Sequence, residues 1–574
     1  MSSNCQIPWK MPFDDEESHE NQLDAAYEKN RLDHHMQLNV DSSPRPVKLT
    51  GVMVTMKKNS LFLLILFLCK KKYYTKKLGI TNSYPLAIAE ISKAGANIVR
   101  LNLSHQTDKW HAITIRSIRE AGNILYHCEK KICPIAVAVD LKGPEIRTGI
   151  FRGDPLSLDH AVLAEGNAVR LLTDAKIQRA GTSSCFWVSY QELRKVCQIG
   201  DRISIDRGAV ILKVTCIAST GVTCKVLKGG IIGNEKTIQL LDSIITFPMV
   251  SEKDKEHIKF ASKLECDIII INHSRSGKMI RLIKNEIKQT GFNWMRVMAK
   301  ICSKQGLENF DEILKEADGI LFERVGVGLD IGKEKLFLAQ KSVIAKCNKV
   351  GKPVVVIFHP KLKERPKINK ELIANAVLDG ADTICLATGN LNLKDTLELI
   401  KDADVVCREA ESARWQREIF DTFSNMTTIP LDVTHSIAVG AIQTSLKCNA
   451  AAIIITTTTG RSAVLLSIYR PRCPIIAVTR FGFVARFLQI YFAIHSVHYK
   501  ASPLTNWLKD IDVRVRAGMN YLKEKNYIKV GDAIVIVGPS QQNGAGFTNS
   551  IRLVYVSPDF NKFKPMESNP TEAE

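Results

Sequence analysis

The stretch PIAVAVDLKGPEIRTG, Pro134 to Gly149, decides how the chain folds. It opens with an apolar run of small and β-branched residues that ends at Asp140, and a loop containing Gly, Pro and charged residues follows. A continuous apolar run of this length is typical of a strand buried on both faces of a parallel sheet.

Runs of the same kind recur along the chain, and an amphipathic helical pattern follows each of them. The eight strand candidates are GVMVT (51–55), NIVRLNL (97–103), PIAVAVD (134–140), CDIIIIN (266–272), MRVMAKI (295–301), DGILF (318–322), PVVVI (353–357) and DTICLA (382–387). Strands that alternate with helices form a parallel sheet. Eight such units predict a (β/α)8 TIM barrel, whose functional residues lie at the C-terminal ends of the strands.

Two other parts of the chain have a different texture. Between the third and fourth units, AVRLL, RISI, VILKVTCI and VTCKVL alternate apolar and polar residues and are broken by Gly and Asp. This pattern predicts a small β-barrel domain inserted on the active-site side of the TIM barrel. After about residue 424, NAAAIIITTTTGRS, CPIIAVT and GDAIVIVG predict a C-terminal α/β domain. The predicted fold class is therefore α/β, with these two additional domains.

The composition shifts along the chain predict where the domains begin and end. The expected division is a mobile N-terminal arm (1–49), the first part of the barrel domain (50–148), the inserted lid domain (149–247), the second part of the barrel domain (248–420), the C-terminal domain (421–558) and a tail (559–574).

Charge and cysteine content limit the class of protein. The formal net charge is +20 at pH 7, but outside the lysine-rich segment Met56–Lys77 the excess is spread along the chain. Since the sequence carries no nucleic-acid-binding motif, we expect phosphorylated small molecules as ligands rather than nucleic acid. The fifteen cysteines form no regular framework, which indicates reduced thiols and a cytoplasmic location.

Three segments carry a resemblance to a known family. RLNLSH (100–105), DLKGPEIRTG (140–149) and ANAVLDGAD (374–382), together with the predicted domain order, closely resemble pyruvate kinase over roughly residues 50–558. The resemblance implies transfer of the phosphoryl group of phosphoenolpyruvate to ADP, with magnesium and potassium as cofactors and ADP or ATP as the nucleotide. It also implies an oligomer, either a homotetramer or a hetero-oligomer with other family members.

The resemblance places retained site residues at several positions. It implies that Lys300 and Arg100 contact the transferring phosphoryl group and that Arg147 and Lys236 contact the nucleotide. It implies a potassium site made of Asn102, Ser104, Asp140 and the backbone carbonyl of Leu141. Hard oxygen donors of this kind suit such a cation. From the residues alone, Lys300 could equally be a lysine that extends from a strand end towards water.

Other positions depart from the family pattern. Cys302 and Gly326 stand where the family has its two magnesium-binding carboxylates, and Val325 replaces a glycine whose amide touches the substrate. Phe358 replaces a threonine near the substrate, and a short segment after it is missing. Since both family carboxylates are replaced, the sequence does not support a magnesium site of the family's kind. Cys302 is either a soft metal ligand or, as lone thiols usually are, a packing residue.

Glu323 stands where the family has an alanine beside the substrate. Its carboxylate is either a relocated metal ligand or a negative charge that opposes an anionic substrate.

The C-terminal domain carries a second group of family-like positions. TTTTGRS (456–462) resembles a loop that binds the phosphate of a sugar-bisphosphate activator, through backbone amides that precede a helix. The implied effector-type residues are Thr457, Gly460, Arg461, Ser462, Trp507, Arg514 and Gly546. The alternative is a turn whose threonines only cap the helix.

The segment Met56–Lys77 interrupts the family pattern. GVMVT would continue directly into LGITNSYPLAIAEI without it, and its content of Lys, Phe, Leu, Ile, Tyr and Asn is what translated A/T-rich non-coding DNA yields. We interpret it as an anomalous insert, a retained intron. Its apolar run is shorter than the roughly 17–25 residues of a membrane span, so we expect no membrane-spanning segment. The alternatives are a surface loop and a basic hook that lies on a membrane surface.

Taken together, the sequence predicts a pyruvate kinase-family protein that is inactive or strongly impaired. Two alternatives stay open at this point. One is an active pyruvate kinase that recruits its metal through Glu323 or Asp330, and the other is a non-catalytic subunit that senses a sugar phosphate.

Overall fold

A computed structural model of the chain describes residues 22–56, 84–129, 134–143, 145–151, 160–242, 249–361, 366–389, 391–427, 429–539 and 548–557. The predicted insert lies outside these residues except for Met56, and Gly546 lies outside them as well.

The strands are numbered in chain order. They are β1 Gly51–Met56, β2 Ile98–Asn102, β3 Ala136–Asp140, β4 Ile146–Arg147, β5 His160–Leu163, β6 Ala168–Leu172, β7 Cys185–Trp187, β8 Arg202–Ile205, β9 Val210–Ala218, β10 Gly221–Lys228, β11 Gly230–Gly233, β12 Thr237–Leu240, β13 Ile268–Ile271, β14 Arg296–Ile301, β15 Gly319–Glu323, β16 Val354–Phe358, β17 Thr383–Leu386, β18 Ala452–Thr456, β19 Ile475–Thr479, β20 Ile494–His498, β21 Ala533–Gly538 and β22 Ser550–Tyr555.

The α-helices are numbered in the same way. They are α1 Leu23–Tyr27, α2 Arg31–Met36, α3 Tyr84–Lys93, α4 Asp108–Glu129, α5 Leu193–Val196, α6 Glu252–Lys263, α7 Gly277–Gln289, α8 Lys304–Glu308, α9 Phe310–Glu316, α10 Arg324–Ile331, α11 Leu336–Lys349, α12 Lys370–Leu378, α13 Leu393–Ser412, α14 Gln416–Asn425, α15 Val433–Lys447, α16 Arg461–Ile468, α17 Gly482–Phe487 and α18 Trp507–Glu524.

A closed barrel of eight parallel strands forms the centre of the molecule. The strands are β1, β2, β3 and β13 to β17, paired in the order β1-β17-β16-β15-β14-β13-β3-β2. Each predicted strand candidate supplies one of them, so the TIM barrel prediction is confirmed. Alternate residues explain why the runs are apolar throughout: Met53 and Met298 pack inside the barrel, while Val54 and Val297 pack outwards against the helices.

A repeated contact fixes the N-terminal edge of the barrel, which we call the floor. A polar residue just before every second strand accepts a hydrogen bond from a backbone amide of the strand beside it. In the described part of the chain the four contacts are Val52 to Asn97 (3.1 Å), Val137 to Asp267 (2.8 Å), Val297 to Asp318 (2.8 Å) and Val354 to Asp382 (2.9 Å). These floor clamps join the strands in the pairs β1–β2, β3–β13, β14–β15 and β16–β17, which together include every strand of the barrel.

The inserted β-region follows β3 and returns to the barrel before β13. It contains a seven-stranded sheet, in the order β4-β12-β8-β9-β10-β6-β7, and the two-stranded sheet β11-β5. Both sheets share one apolar core, to which Phe186, Leu212 and Ile232 contribute. The turn between β8 and β9 has positive φ at Asp206 (50°), Arg207 (58°) and Gly208 (83°), and it projects towards the barrel, where Gly208 faces the side chain of Leu329. Because the insertion follows the C-terminal end of β3, this region covers the C-terminal edge of the barrel.

The C-terminal region forms a five-stranded sheet in the order β20-β19-β18-β21-β22, with only β22 antiparallel to its neighbour. This confirms the predicted C-terminal α/β domain. It packs against the floor of the barrel through two buried aspartates that are also floor clamps. Arg486 Nε lies 2.6 Å from Asp267 Oδ1, and Arg470 Nη1 lies 2.8 Å from Asp382 Oδ1.

The sequence predicts a mobile arm over residues 1–49, and its described part packs against the rest of the chain instead. Tyr27 in α1 donates to the carbonyl of Leu446 at 3.3 Å, and the ring of His34 stacks on Trp415 at 5.6 Å. In the described residues, no helix is both long and apolar enough to cross a membrane.

Candidate active site

A polar cleft lies between the C-terminal ends of the barrel strands and the inserted β-region. The barrel contributes Thr55, Arg100, Lys300 and Glu323 to its lining, and the inserted region contributes Gln239 among others. The barrel residues lie near the ends of β1, β2, β14 and β15, which is where a TIM barrel places its functional side chains.

The two retained basic residues converge on one buried carboxylate. Arg100 Nη2 forms a salt bridge with Asp140 Oδ2, and Arg100 Nη1 donates to Thr55 Oγ1 at 3.0 Å. Lys300 Nζ lies 3.7 Å from the same oxygen of Asp140 and 3.2 Å from Glu323 Oε2. The structure therefore brings Lys300, Arg100 and Asp140 together, with Glu323 added to the cluster.

These side chains are ionised despite their burial. Burial opposes the charge on both Lys300 and Glu323, but their mutual attraction raises the pKa of the lysine and lowers the pKa of the carboxyl from their ordinary values. His359 Nε2 lies 3.6 Å from the other oxygen of Glu323. Burial lowers the pKa of His359 to about 4, so its imidazole is neutral at pH 7 and adds no charge to the cluster.

The positions of the potassium-type site lie side by side on β2 and β3. Asn102 and Asp140 are paired across the two strands, and Asn102 Oδ1 accepts the backbone amide of Ser104 at 2.9 Å. Asp140 Oδ1 is buried and has no hydrogen-bond partner among the described residues. A buried carboxylate oxygen without a partner, next to amide and hydroxyl oxygens and the chain at Leu141, fits a monovalent cation. These residues would hold it, and it would supply positive charge beside the anion-binding residues.

The positions of the family's magnesium ligands are filled differently. Cys302 is buried, its Sγ lies 3.1 Å from His273 Nδ1, and burial raises the pKa of the thiol above its ordinary value. Gly326 lies in the first turns of α10, where a Cβ atom would be 2.5 Å from the carbonyl oxygen of Cys302. The backbone has thus closed the space that an aspartate side chain would need.

The carboxylates that could replace the missing ligands are already engaged. Both oxygens of Glu323 contact basic groups, as described above. Asp330 Oδ1 accepts from Gln239 Nε2 at 2.6 Å, and Asp330 Oδ2 accepts from the amide of Lys304 at 2.8 Å. Within the described ranges, no group of three or more His, Cys, Asp and Glu side chains could hold a metal ion. Glu323 and Asp330 would have to give up these contacts to bind a magnesium ion, so the side chains of the cleft, as they are arranged here, fit that ion poorly.

The contact between Gln239 and Asp330 also joins the inserted region to the barrel. The amide of Gln239 reaches the carbonyl of Gly326 at 3.3 Å as well. Burial raises the pKa of Asp330 to about 6, so this carboxyl titrates near neutral pH. The inserted region is thus held over the cleft by contacts with α10.

Two further substituted positions, Val325 and Phe358, are placed differently. Val325 is partly exposed in α10, and Phe358 is buried at the end of β16, with the guanidinium of Arg324 5.8 Å from its ring centre. Phe358 belongs to the apolar layer between the barrel strands and the helices, while its neighbours Ile357 and His359 line the cleft.

The two nucleotide-type residues lie together on the inserted region. Arg147 Nε lies 3.1 Å from Glu145 Oε2, and Arg147 Nη1 donates to the carbonyl of Glu235 at 2.9 Å. Lys236 Nζ lies 2.8 Å from Asp206 Oδ2. Both basic groups therefore have acidic partners within the chain.

Sequence reasoning missed several residues of the cleft. Glu145 accepts hydrogen bonds from Arg147 and from Asn272 Nδ2 (2.8 Å), and it lies inside the motif DLKGPEIRTG, so the motif could have singled it out. His273, His359 and Arg207 also line the cleft. These three residues belong to none of the motifs quoted above, and they come together only when the chain folds.

The effector-type residues belong to two elements of the C-terminal region, the start of α16 and α18. Gly460, at φ 85°, immediately precedes α16 and donates its amide to Thr457 Oγ1 at 2.9 Å, while Ser462 Oγ lies 2.8 Å from Thr548 Oγ1. Arg461 forms a salt bridge with Asp432.

The other effector-type residues lie on α18, which begins at Trp507. There Arg514 Nη2 is 3.1 Å from Asp510 Oδ2, a carboxylate that also pairs with Arg480. The structure therefore forms the loop around Gly460 and ties Arg514 to its own helix.

Comparisons with known proteins agree with this architecture. The family model "Pyruvate kinase, barrel domain" matches residues 74–392, and "Pyruvate kinase, alpha/beta domain" matches residues 435–554. Pyruvate kinase PKLR of Rattus norvegicus is 35% identical over 541 residues, which cover 93% of this chain and 90% of the relative. The Homo sapiens protein of the same name is 34% identical over the same length and shares. A pyruvate kinase of Trypanoplasma borreli is 32% identical over 490 residues, 83% of this chain and 94% of the relative.

The two family models together match well over half of the chain, and the mammalian relatives match nearly all of it. The chain belongs to the pyruvate kinase family.

Proposed function

We propose that this protein is a pyruvate kinase-family member that transfers the phosphoryl group of phosphoenolpyruvate to ADP very slowly or not at all. The observation that carries the proposal is the state of the two metal-ligand positions. Cys302 is a buried thiol next to His273, and Gly326 has no room for a side chain.

The expected loss of rate is large. Phosphoryl transfer depends on cations that neutralise the moving group and its oxygens. Removal of a single preorganised electrostatic group costs about 10²–10³ in rate, or about 2.7–4 kcal/mol. Here the positions of two metal carboxylates have changed, and Phe358 stands where the resemblance places a threonine near the substrate, so the losses would reduce turnover below ordinary detection.

The retained residues support ligand binding without turnover. Arg100 and Lys300 form a basic cluster in the cleft, and Asp140 keeps an unpartnered oxygen that suits potassium. Phosphorylated small molecules are the ligands that this chemistry favours. Because the chain belongs to this family, we also propose a cytoplasmic location. We propose that it assembles into tetramers, either with copies of itself or with other family members.

A coupled assay tests the proposal most directly. The pure protein is assayed with phosphoenolpyruvate, ADP, magnesium and potassium, with pyruvate formation followed through lactate dehydrogenase. The matched control is Lys300→Met, and the rat relative serves as the positive control. We expect the wild type to be indistinguishable from Lys300→Met. Magnesium-dependent turnover that disappears in Lys300→Met would show that the protein is an active pyruvate kinase.

A non-catalytic subunit that senses a sugar phosphate is the second candidate. It is favoured by the ordered loop before α16, in which the amide of Gly460 donates to Thr457 Oγ1 and Ser462 contacts Thr548. Calorimetry with fructose bisphosphate tests it, because this candidate requires binding at the C-terminal domain whether or not the barrel is active. Co-purification with an active family member would support the assembly that it implies.

A further inference from the structure

We propose that the carboxylate of Glu323 is an internal anion that occupies the position where the cleft would otherwise hold a ligand's phosphate or carboxylate group. Its removal would uncover an anion-binding site formed by Lys300 and Arg100. The inference deepens the proposed function, since it concerns what the same cleft binds, but it is tested by affinity rather than by turnover.

The position of Glu323 supports this directly. It is the last residue of β15, and its backbone is fixed by pairing with Ile357 on β16. Its side chain is 12% exposed and reaches Lys300 Nζ at 3.2 Å. The strand thus holds the carboxylate against Lys300, the basic residue that the family resemblance implies for the phosphoryl group.

The balance of charge gives an independent argument. Arg100 and Lys300 carry two positive charges in the buried part of the cleft, and Asp140 supplies one negative charge to both of them. One positive charge would remain, and a buried charge without a partner is costly. Glu323 neutralises it, just as a bound anion would.

Two neighbouring groups define how the anion position is enclosed. His359 Nε2, neutral at pH 7, lies 3.6 Å from the second oxygen of Glu323. Arg207, at the tip of the β8–β9 turn, lines the same cleft, and its positive charge favours the ionised form of Glu323. Basic and imidazole groups from four separate elements thus face one carboxylate.

The carboxylate also remains charged throughout the ordinary pH range. Burial opposes ionisation, but the nearby positive charges lower the pKa of Glu323 well below its usual value. An external anion must therefore displace a tethered one whose charge does not titrate near neutral pH.

The test compares anion affinity in Glu323→Gln with that in the wild type. The amide oxygen of glutamine can still accept from Lys300, and glutamine has nearly the size of glutamate, so the variant keeps the local packing while one negative charge is removed. The probes are inorganic phosphate and phosphoenolpyruvate, titrated by calorimetry. We expect both to bind at least about tenfold more tightly, since a like charge has been removed from within a few ångströms of the bound anion.

Asp330→Asn is the matched control, because Asp330 is a carboxylate of the neighbouring helix whose partners are Gln239 and the Lys304 amide. Its affinity for both probes should stay within about twofold of the wild type, whereas a gain equal to that of Glu323→Gln would overturn the proposal. The double variant Glu323→Gln/Lys300→Met should lose the gain, since the uncovered site uses Lys300.

Glu323→Ala provides a second variant, in case the glutamine itself blocks the opened space or lowers solubility. If neither variant binds phosphate or phosphoenolpyruvate more tightly than the wild type, the proposal is wrong. If the wild type shows magnesium-dependent turnover that Glu323→Gln loses, Glu323 is a metal ligand and the proposal is also wrong. Tighter binding without turnover supports both this inference and the proposed function.

Discussion

Gly326 offers the sharpest test of how the family's metal position has closed. A Cβ atom at Gly326 would lie 2.5 Å from the backbone carbonyl oxygen of Cys302, so even alanine must push α10 away from the end of β14. The same helix contains Gly328, where a Cβ atom would meet only the end of the Leu336 side chain, at 3.2 Å. Gly326→Ala and Gly328→Ala therefore make the same chemical change in two different surroundings.

The two variants should change the free energy of unfolding in opposite directions. Alanine is better than glycine in a helix interior by about 1 kcal/mol, and both variants receive this gain. Extra volume that forces a backbone shift costs about 1–3 kcal/mol, and only Gly326→Ala meets backbone. Gly328→Ala should therefore be neutral or more stable than the wild type by up to about 1 kcal/mol. Gly326→Ala should be less stable by up to about 2 kcal/mol.

Thermal unfolding and urea unfolding of the two variants measure this difference. A midpoint shift of about 2–4 °C per kcal/mol is expected for a domain of this size, so the two variants should differ by several degrees. Equal stability of Gly326→Ala and Gly328→Ala would refute the reasoning that the backbone has closed this position.

A magnesium titration extends the test from stability to metal binding. The double variant Cys302→Glu/Gly326→Asp restores the family's carboxylates in sequence. We expect calorimetry to detect no gain in magnesium affinity over the wild type, because the aspartate meets the same carbonyl oxygen as the alanine.

Three further predictions follow from other parts of the molecule. Burial raises the pKa of Asp330 to about 6, so the stability that its protonated carboxyl contributes is present at low pH and is lost as pH rises through 6. In urea unfolding, the free energy of unfolding of Asp330→Asn should therefore rise relative to that of the wild type by about 1.4 kcal/mol between pH 5 and pH 7.5. A difference that stays constant with pH would contradict this. Asp267→Asn should lower the free energy of unfolding of the C-terminal region by about 1.5–3 kcal/mol, because Asp267 is buried and accepts a hydrogen bond from Arg486. Urea unfolding measures this, and an unchanged midpoint would mean that the pair contributes nothing to stability. If the C-terminal domain senses sugar phosphates, Arg514→Ala should weaken fructose bisphosphate binding in calorimetry, and no binding to the wild type at millimolar ligand would exclude that function.

The barrel could be predicted from the sequence because its strands are buried on both faces. Each apolar run, such as CDIIIIN or PVVVI, predicts its strand from its own residues, without reference to the rest of the chain. The retained positions near Asp140 could also be placed, because parallel strands bring their C-terminal ends to one edge.

The contacts within the cleft could not be predicted in the same way. The distance between Cys302 and His273, or between Gln239 and Asp330, depends on how a loop or the inserted region folds over the barrel. Sequence reasoning left Glu323 open between metal ligand and repelling charge, and its pairing with Lys300 became visible only in three dimensions. At Gly326 the sequence indicated a missing ligand, but not that the backbone had occupied its space.

The floor clamps give the barrel a fourfold repetition at its N-terminal edge. Each clamp joins two adjacent strands through one polar side chain and one backbone amide. Each pair of strands, a quarter of the barrel, therefore has a contact of its own. None of these polar groups lies at the cleft, which is a strand length, or roughly 15–20 Å, away. The mechanical integrity of the barrel and its chemistry therefore depend on separate sets of residues. Substitutions such as those at 302, 323 and 326 can accumulate at the chemical edge while the fold continues to assemble.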